Sequence, residues 1–101
     1  MLEVVQPNGA ERALALAGEL DLATTPQLLD RARVLVETDG DVTLDLSGVS
    51  FVDSQGIRAF IQIARSLDGR GRLVLAEPTP EVRKLFGIVR VHDFPNIAVE
   101  P

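Results

Sequence analysis

The sequence predicts an α/β domain: a mixed β-sheet of about four to five strands, with three to four helices packed on one face. Three observations carry this. Apolar residues alternate with a period of two at Leu14/Leu16, Val42/Leu44/Leu46 and Leu73/Leu75, the spacing that puts alternate side chains on one side of a strand. Between these runs, apolar residues recur every three or four positions, as on one face of a helix. The strand–helix–strand unit from Val42 to Ala76 is long enough for a right-handed parallel crossover, which lays its helix against the sheet.

Taken in order, Leu2–Gln6 reads as the first strand. Pro7-Asn8-Gly9-Ala10 reads as a hairpin turn, because Asn-Gly tolerates positive φ. Arg12–Ala17 is the second strand, and Gly18-Glu19-Leu20-Asp21 is expected to close it as a turn. Thr24-Thr25-Pro26 starts a helix: threonine caps, and proline suits the first position, where a missing N–H costs nothing. Leu28, Leu29, Ala32, Leu35 and Val36 form its buried stripe, with an end near Thr38-Asp39-Gly40. Asp41–Leu46 is the third strand. A short loop, Ser47–Val52, is expected to lead into a second long helix starting at Asp53 or Ser54. Ile57, Phe60, Ile61, Ala64 and Leu67 are its buried stripe, and Gly69-Arg70-Gly71 ends it. Arg72–Ala76 is the fourth strand. Thr79 caps, and Pro80 opens, a third short helix that turns Val82, Leu85 and Phe86 inward. The tail, with Val89, Val91, Phe94, Ile97 and Val99, holds an edge strand or a last packed turn.

Composition bounds the function. Residues 1–101 are expected to form one domain, and 46% apolar residues suffice for a core. There is no cysteine, so disulfides and thiolate metal sites are excluded. Fifteen acids against ten bases give a net charge of −5, and there is no Trp or Tyr. Both argue against nucleic acid as a partner and for a protein with a basic face. The lone His92 has no companions at metal-ligand spacing, so no metal is expected. Gly69 and Gly71 precede a strand rather than a helix, so no nucleotide cofactor is implied. No apolar run is long enough to span a bilayer, and no signal peptide is evident; a cytoplasmic location without membrane insertion is expected.

The chemistry concentrates in Asp45-Leu46-Ser47-Gly48-Val49-Ser50-Phe51-Val52-Asp53-Ser54-Gln55-Gly56-Ile57. Ser54 sits at a helix start, where the dipole and free backbone N–H groups favour an anion. Asp53 reads either as the helix cap or as a group that orients the Ser54 hydroxyl. Asp21 reads as a turn or capping acid, or as an interface residue. Gly56 implies a close backbone approach, because glycine inside a helix costs roughly 0.5–1 kcal/mol relative to alanine. Arg58 reads as a solvated helix residue or as a phosphate ligand. A serine hydrolase would need a partner histidine and an elbow of the form Gly-x-Ser-x-Gly, and Ser54 has no such surroundings.

Four segments together resemble a known family: Gly18-Glu19-Leu20-Asp21, Asp45 to Ser54, Gly56-Ile57, and Val82-Arg83-Lys84-Leu85-Phe86. Their order and spacing are similar to the STAS domain, in particular to bacterial anti-sigma factor antagonists. The resemblance implies a protein without catalysis of its own. Its partner would be an anti-sigma factor with a histidine-kinase-like ATPase fold that acts as a serine kinase on Ser54. The unphosphorylated form would bind that partner and release a sigma factor; phosphorylation would end binding, and a PP2C-type phosphatase would restore it. The implied contact residues are Glu19, Asp21, Ser47, Gly48, Ser50, Asp53, Gln55, Gly56 and Arg58, on a monomer or weak dimer. Three positions depart from the family pattern: Gln55 stands where Ser or Thr is common, Arg58 where Gly or Ala is, and Arg90 where Gly is. Two other functions stay open at this point: a constitutive STAS subunit of a transporter or signalling complex, and a small serine hydrolase using Ser54.

Overall fold

The computed structural model describes residues 1–101. In chain order it contains β1 (Leu2–Val5), β2 (Ala13–Leu20), α1 (Thr25–Leu35), β3 (Val42–Val52), α2 (Ser54–Ser66), β4 (Leu73–Ala76), α3 (Pro80–Val89), a 3-10 turn (Val91–Asp93) and β5 (Ile97–Glu100). The five strands form one sheet in the order β1-β2-β3-β4-β5. β1 runs antiparallel to β2, and every later neighbour is parallel. Each crossover steps one strand in the same direction. Right-handed crossovers of that kind place all three helices on the same face.

Burial follows that geometry. Leu14, Leu16 and Leu20 of β2 and Val42, Leu44 and Leu46 of β3 are buried in a single cluster, together with Leu28, Phe60, Leu67 and Phe86 from the helices. Each such fully buried side chain stabilises the fold by about 1.5–3 kcal/mol relative to exposure. Phe60 and Phe86 meet edge to face, with ring centroids 6.0 Å apart and planes at 84°. Ala13, Ala15 and Ala17 alternate onto the opposite, helix-free face and are only half-buried.

The structure corrects several boundaries. Gly18-Glu19-Leu20 is not a turn but the end of β2, because β3 extends beside it. The expected loop Ser47–Val52 is the second half of β3, an eleven-residue strand. Two bulges disguise it. Ala15 lies opposite Asp45 but Ala17 opposite Gly48; Gly18 lies opposite Val49 but Glu19 opposite Phe51. Each bulge inserts one extra β3 residue and breaks the period-two pattern that marks a strand in sequence. The β1–β2 pair forms as expected, but its connection runs from Gln6 to Arg12, with Ala10 N–H donating to Pro7 O at 3.1 Å. α1 ends at Leu35, before Thr38. The tail contains both alternatives, a 3-10 turn and an edge strand.

Arginines bind the end of the molecule where the parallel strands begin. Arg12 donates to Thr38 Oγ1 at 2.6 Å, Gly40 O at 2.8 Å and Asp41 O at 3.0 Å. Arg70 donates to Val36 O at 2.8 Å and to Ser66 O, carbonyls at the ends of α1 and α2. Helix C-termini leave such acceptors unsatisfied, and cations suit them. No helix is long and apolar enough to cross a membrane.

Candidate functional site

The other end of the sheet, where β2 and β3 finish, carries the proposed residues. Leu20 lies opposite Val52, and Asp53 N–H donates to Leu20 O at 3.1 Å. This tie ends both strands together and turns the chain into α2. Asp53 is the N-cap: its backbone is extended, and Oδ1 accepts from Gln55 N–H at 2.8 Å and Gly56 N–H at 3.3 Å. Ile57 N–H reaches Asp53 O at 3.2 Å. Most first-turn donors are therefore occupied, which corrects the expectation of free N–H groups there; only the N–H of Ser54 has no acceptor. Ser54 is exposed as the first residue of α2.

Gly56 is explained by packing. A Cβ there would lie 2.7 Å from Val52 Cγ1 and 3.2 Å from both Leu20 Cβ and Leu20 O. The α2 start is pressed against the ends of β2 and β3, and any side chain there must push Val52 or Leu20 aside. Gly48 plays the same part in β3, where a Cβ would meet Leu16 O at 2.9 Å and Ala17 Cβ at 3.0 Å. Ser47 and Ser50 are exposed along the bulged half of β3. Ser47 N–H donates to Asp45 Oδ1 at 2.9 Å, and Ser50 Oγ donates to Gly18 O at 3.3 Å.

Asp21 organises the turn into α1. Its Oδ1 accepts from Ala23 N–H at 3.0 Å and Thr24 N–H at 3.1 Å, and its own N–H donates to Thr24 Oγ1 at 3.0 Å. Thr24 holds the N-cap position, as expected, but its side chain accepts from no first-turn N–H. Its own backbone is already helical and its hydroxyl donates to Glu19 O at 2.7 Å, closing β2 instead. Glu19 Oε1 accepts from the Met1 amine at 2.7 Å, which raises the pKa of that amine.

Two residues on this surface escaped the sequence reading. Leu22 and Phe51 are 70% and 50% exposed. Phe51 sits two residues after buried Val49, and regular alternation would bury it too. The bulge at Ser50 reverses the parity and turns the ring outward. A Ser-Gly-x-Ser run inside an apolar strand was the available signal. Leu22, directly after Asp21, has no periodic pattern to betray it.

The surface is open. A hollow of about 520 Å³ lies between α1 and α2 against Pro26, Leu29, Gln62 and Ser66, and none of the proposed contact residues lines it. No cluster of three metal-ligating side chains is present. His92 belongs to the turn leading into β5, and neighbouring Asn96 O accepts from Leu73 N–H at 2.8 Å where β4 begins. The topology thus puts His92 and Ser54 at opposite ends of the sheet, so the chain's one histidine cannot serve the Ser54 hydroxyl as a base.

Fold and site together define the class. The family model described as "Mlab, STAS domain" matches residues 4–99, and the chain belongs to the STAS domain family. Its sequence relatives in that family carry a more particular designation. The chain is 27% identical to the anti-sigma-B factor antagonist of Bacillus subtilis (strain 168), over 95% of this chain and 89% of that protein. It is 33% identical to the anti-sigma-B factor antagonist of Listeria monocytogenes, over 95% of this chain and 86% of that one. Its fold is similar to that of an anti-sigma factor antagonist from Mycobacterium paratuberculosis, with a TM-score of 0.84 at 19% identity, covering 100% of this chain and 86% of that one. It is also similar to the anti-sigma factor antagonist SpoIIAA in its unphosphorylated form, with a TM-score of 0.63 at 22% identity over 87% and 83% of the two chains.

Proposed function

We propose that this protein is an anti-sigma factor antagonist switched by phosphorylation of Ser54. Unmodified, it binds an anti-sigma factor that is also a serine kinase, and so frees a sigma factor. The observation that supports this best is the setting of Ser54: an exposed hydroxyl at the start of α2, at the end of the sheet where Leu22 and Phe51 are also exposed. An open apolar and acidic surface suits a protein partner, whereas a small substrate needs a concave pocket.

In the transfer, Ser54 Oγ forms a bond to the γ-phosphorus of ATP as the bond to the β-phosphate oxygen breaks. The hydroxyl proton passes to a base on the kinase, which also supplies the metal ligands. A PP2C-type phosphatase reverses the modification. The phosphate adds about 1.5–2 negative charges. It enters a surface already carrying Glu19, Asp21 and Asp53, so a partner selected for the unmodified surface meets repulsion and a desolvation cost. Leu22 and Phe51 are the apolar anchors of the contact.

The test combines purified protein with its candidate anti-sigma kinase and ATP, followed by intact-mass measurement. One phosphate on the parent and none on Ser54→Ala is the expected result. A stable complex with no phosphate gained would instead make the chain a constitutive binding subunit. Calorimetry of the unmodified complex should show Leu22→Ala/Phe51→Ala weakening binding by at least about tenfold, as for interface hot spots. The thermal stability of the double variant should fall by no more than about 1–2 kcal/mol, because Leu22 is mostly exposed and Phe51 only half-buried.

A further inference from the structure

We infer that Arg58 is an in-chain clamp for a phosphate on Ser54, so that phosphorylation withdraws a cation from the contact surface as well as adding negative charge. The inference rests on the reading of Ser54 as the modified residue. It is carried by which donors near Ser54 are free. The helix start offers a phosphate little, because Asp53 already holds the N–H groups of Gln55 and Gly56. A charge-assisted partner must come from a side chain. Arg58 lies four residues after Ser54 on α2, and both are exposed. Residues four apart share a helix face, and an acid four residues before a base is the favourable orientation.

Arg58 is also uncommitted. Arg12, Arg31, Arg70 and Arg72 donate to carbonyls or carboxylates. Arg33 and Arg90 pair with Asp30 and Asp93, and Arg65 lies 5.9 Å from the centre of the Phe94 ring. Only Arg58 and Arg83, the latter on α3, have no acceptor, carboxylate or ring. Arg58 borders an open depression shared with Ile61, Gln62 and Arg65. Its neighbour there is a second cation, which repels it rather than holding it. A phosphate one turn toward the N-terminus gives the guanidinium a bidentate partner of opposite charge.

The test needs no kinase. Phosphoserine is incorporated at position 54 during translation, and the second phosphate ionisation is followed by ³¹P NMR. That ionisation lies near about 6 for phosphoserine in solution. The acids nearest in the chain and across the strand ends, Asp53, Asp21 and Glu19, raise it in every variant alike; Arg58 lowers it in the parent only. Phosphorylated Arg58→Gln should therefore titrate higher than the phosphorylated parent by about 0.3 unit or more, since one unit corresponds to 1.36 kcal/mol and a clamp exceeds an ordinary helix pair. Arg58→Lys should fall between them. Arg65→Gln removes the same charge farther along α2 and should match the parent. Equal values for the parent and Arg58→Gln would overturn the clamp, as would an equal rise in Arg65→Gln. Because the phosphate is installed synthetically, these outcomes are independent of whether a kinase modifies Ser54.

Discussion

One carboxylate oxygen at Asp53 serves two backbone donors and leaves the neighbouring hydroxyl facing solvent. Asp53→Ala removes that acceptor, and chemical denaturation should show a loss of about 0.5–2 kcal/mol. Asp53→Asn keeps an acceptor oxygen and should recover most of it. If the two variants differ in phosphate uptake by no more than they differ in stability, Asp53 acts through the cap; a separate loss in Asp53→Asn would assign it to kinase recognition. Gly56 answers to a different force. In Gly56→Ala the new methyl would press on Val52 and Leu20, and overpacking of that kind costs about 1–3 kcal/mol. Alanine's better helix propensity offsets roughly 0.5–1 kcal/mol of it. A melting temperature below that of the parent is the expected outcome.

At the scale of the element, α3 shows how a helix can end without the usual residue. Thr79 caps its start, accepting from Val82 N–H at 3.4 Å, and Pro80 takes the first helical position, as the sequence indicates. At the other end Arg90 adopts φ 56° and ψ 46°, the left-handed conformation that glycine supplies without a Cβ clash. The departure from the family's glycine therefore leaves the helix end in place and is met by strain. Arg90 Nε donates to Asp93 Oδ2 at 2.6 Å across the following turn, which lowers the Asp93 pKa. Arg90→Gly relieves the strain but loses that exposed pair and gains unfolded-chain entropy. A net stabilisation of about 0.5 kcal/mol is expected, read as a higher urea midpoint at neutral pH.

For the molecule as a whole, the two ends of the parallel sheet have separate duties. The end where the strands begin is tied by Arg12, Arg70 and Arg72; the end where they finish carries Ser54. The tie between β3 and β4 is sensitive to acid. Asp41 accepts from Arg72 N–H at 2.9 Å and from its guanidinium at 3.1 Å. These bonds, the backbone one first, hold its carboxyl below its ordinary value of 3.8. A lowered folded-state pKa stabilises above the unfolded value, and that contribution is lost as pH falls through the folded one. Urea midpoints of the parent and Asp41→Asn should therefore differ most near neutrality and converge below pH 3.8. At neutral pH, Asp41→Asn should leave the Ser54 end, and binding through it, unaffected.

The sequence by itself determined what depends on neighbours along the chain. Alternation placed Leu14, Leu16, Val42, Leu44 and Leu46 in the core, three- and four-residue spacing identified the helices, and Asp53, Thr79 and Pro80 marked two helix starts. The motif around Ser54 was sufficient to point to the family. What only the tertiary structure decided depends on contacts between segments far apart in the chain. β3 beside β2 turned an expected turn and loop into paired strand, and its bulges exposed Phe51 by shifting a parity that no local pattern records. The approach of α2 to Leu20 explained Gly56. The commitment of the other arginines to distant carbonyls, acids and a ring left Arg58 free beside Ser54. Local backbone preferences act over a turn or a few strand residues, whereas register, exposure and the pairing of charges arise only when the strands and helices close on one another.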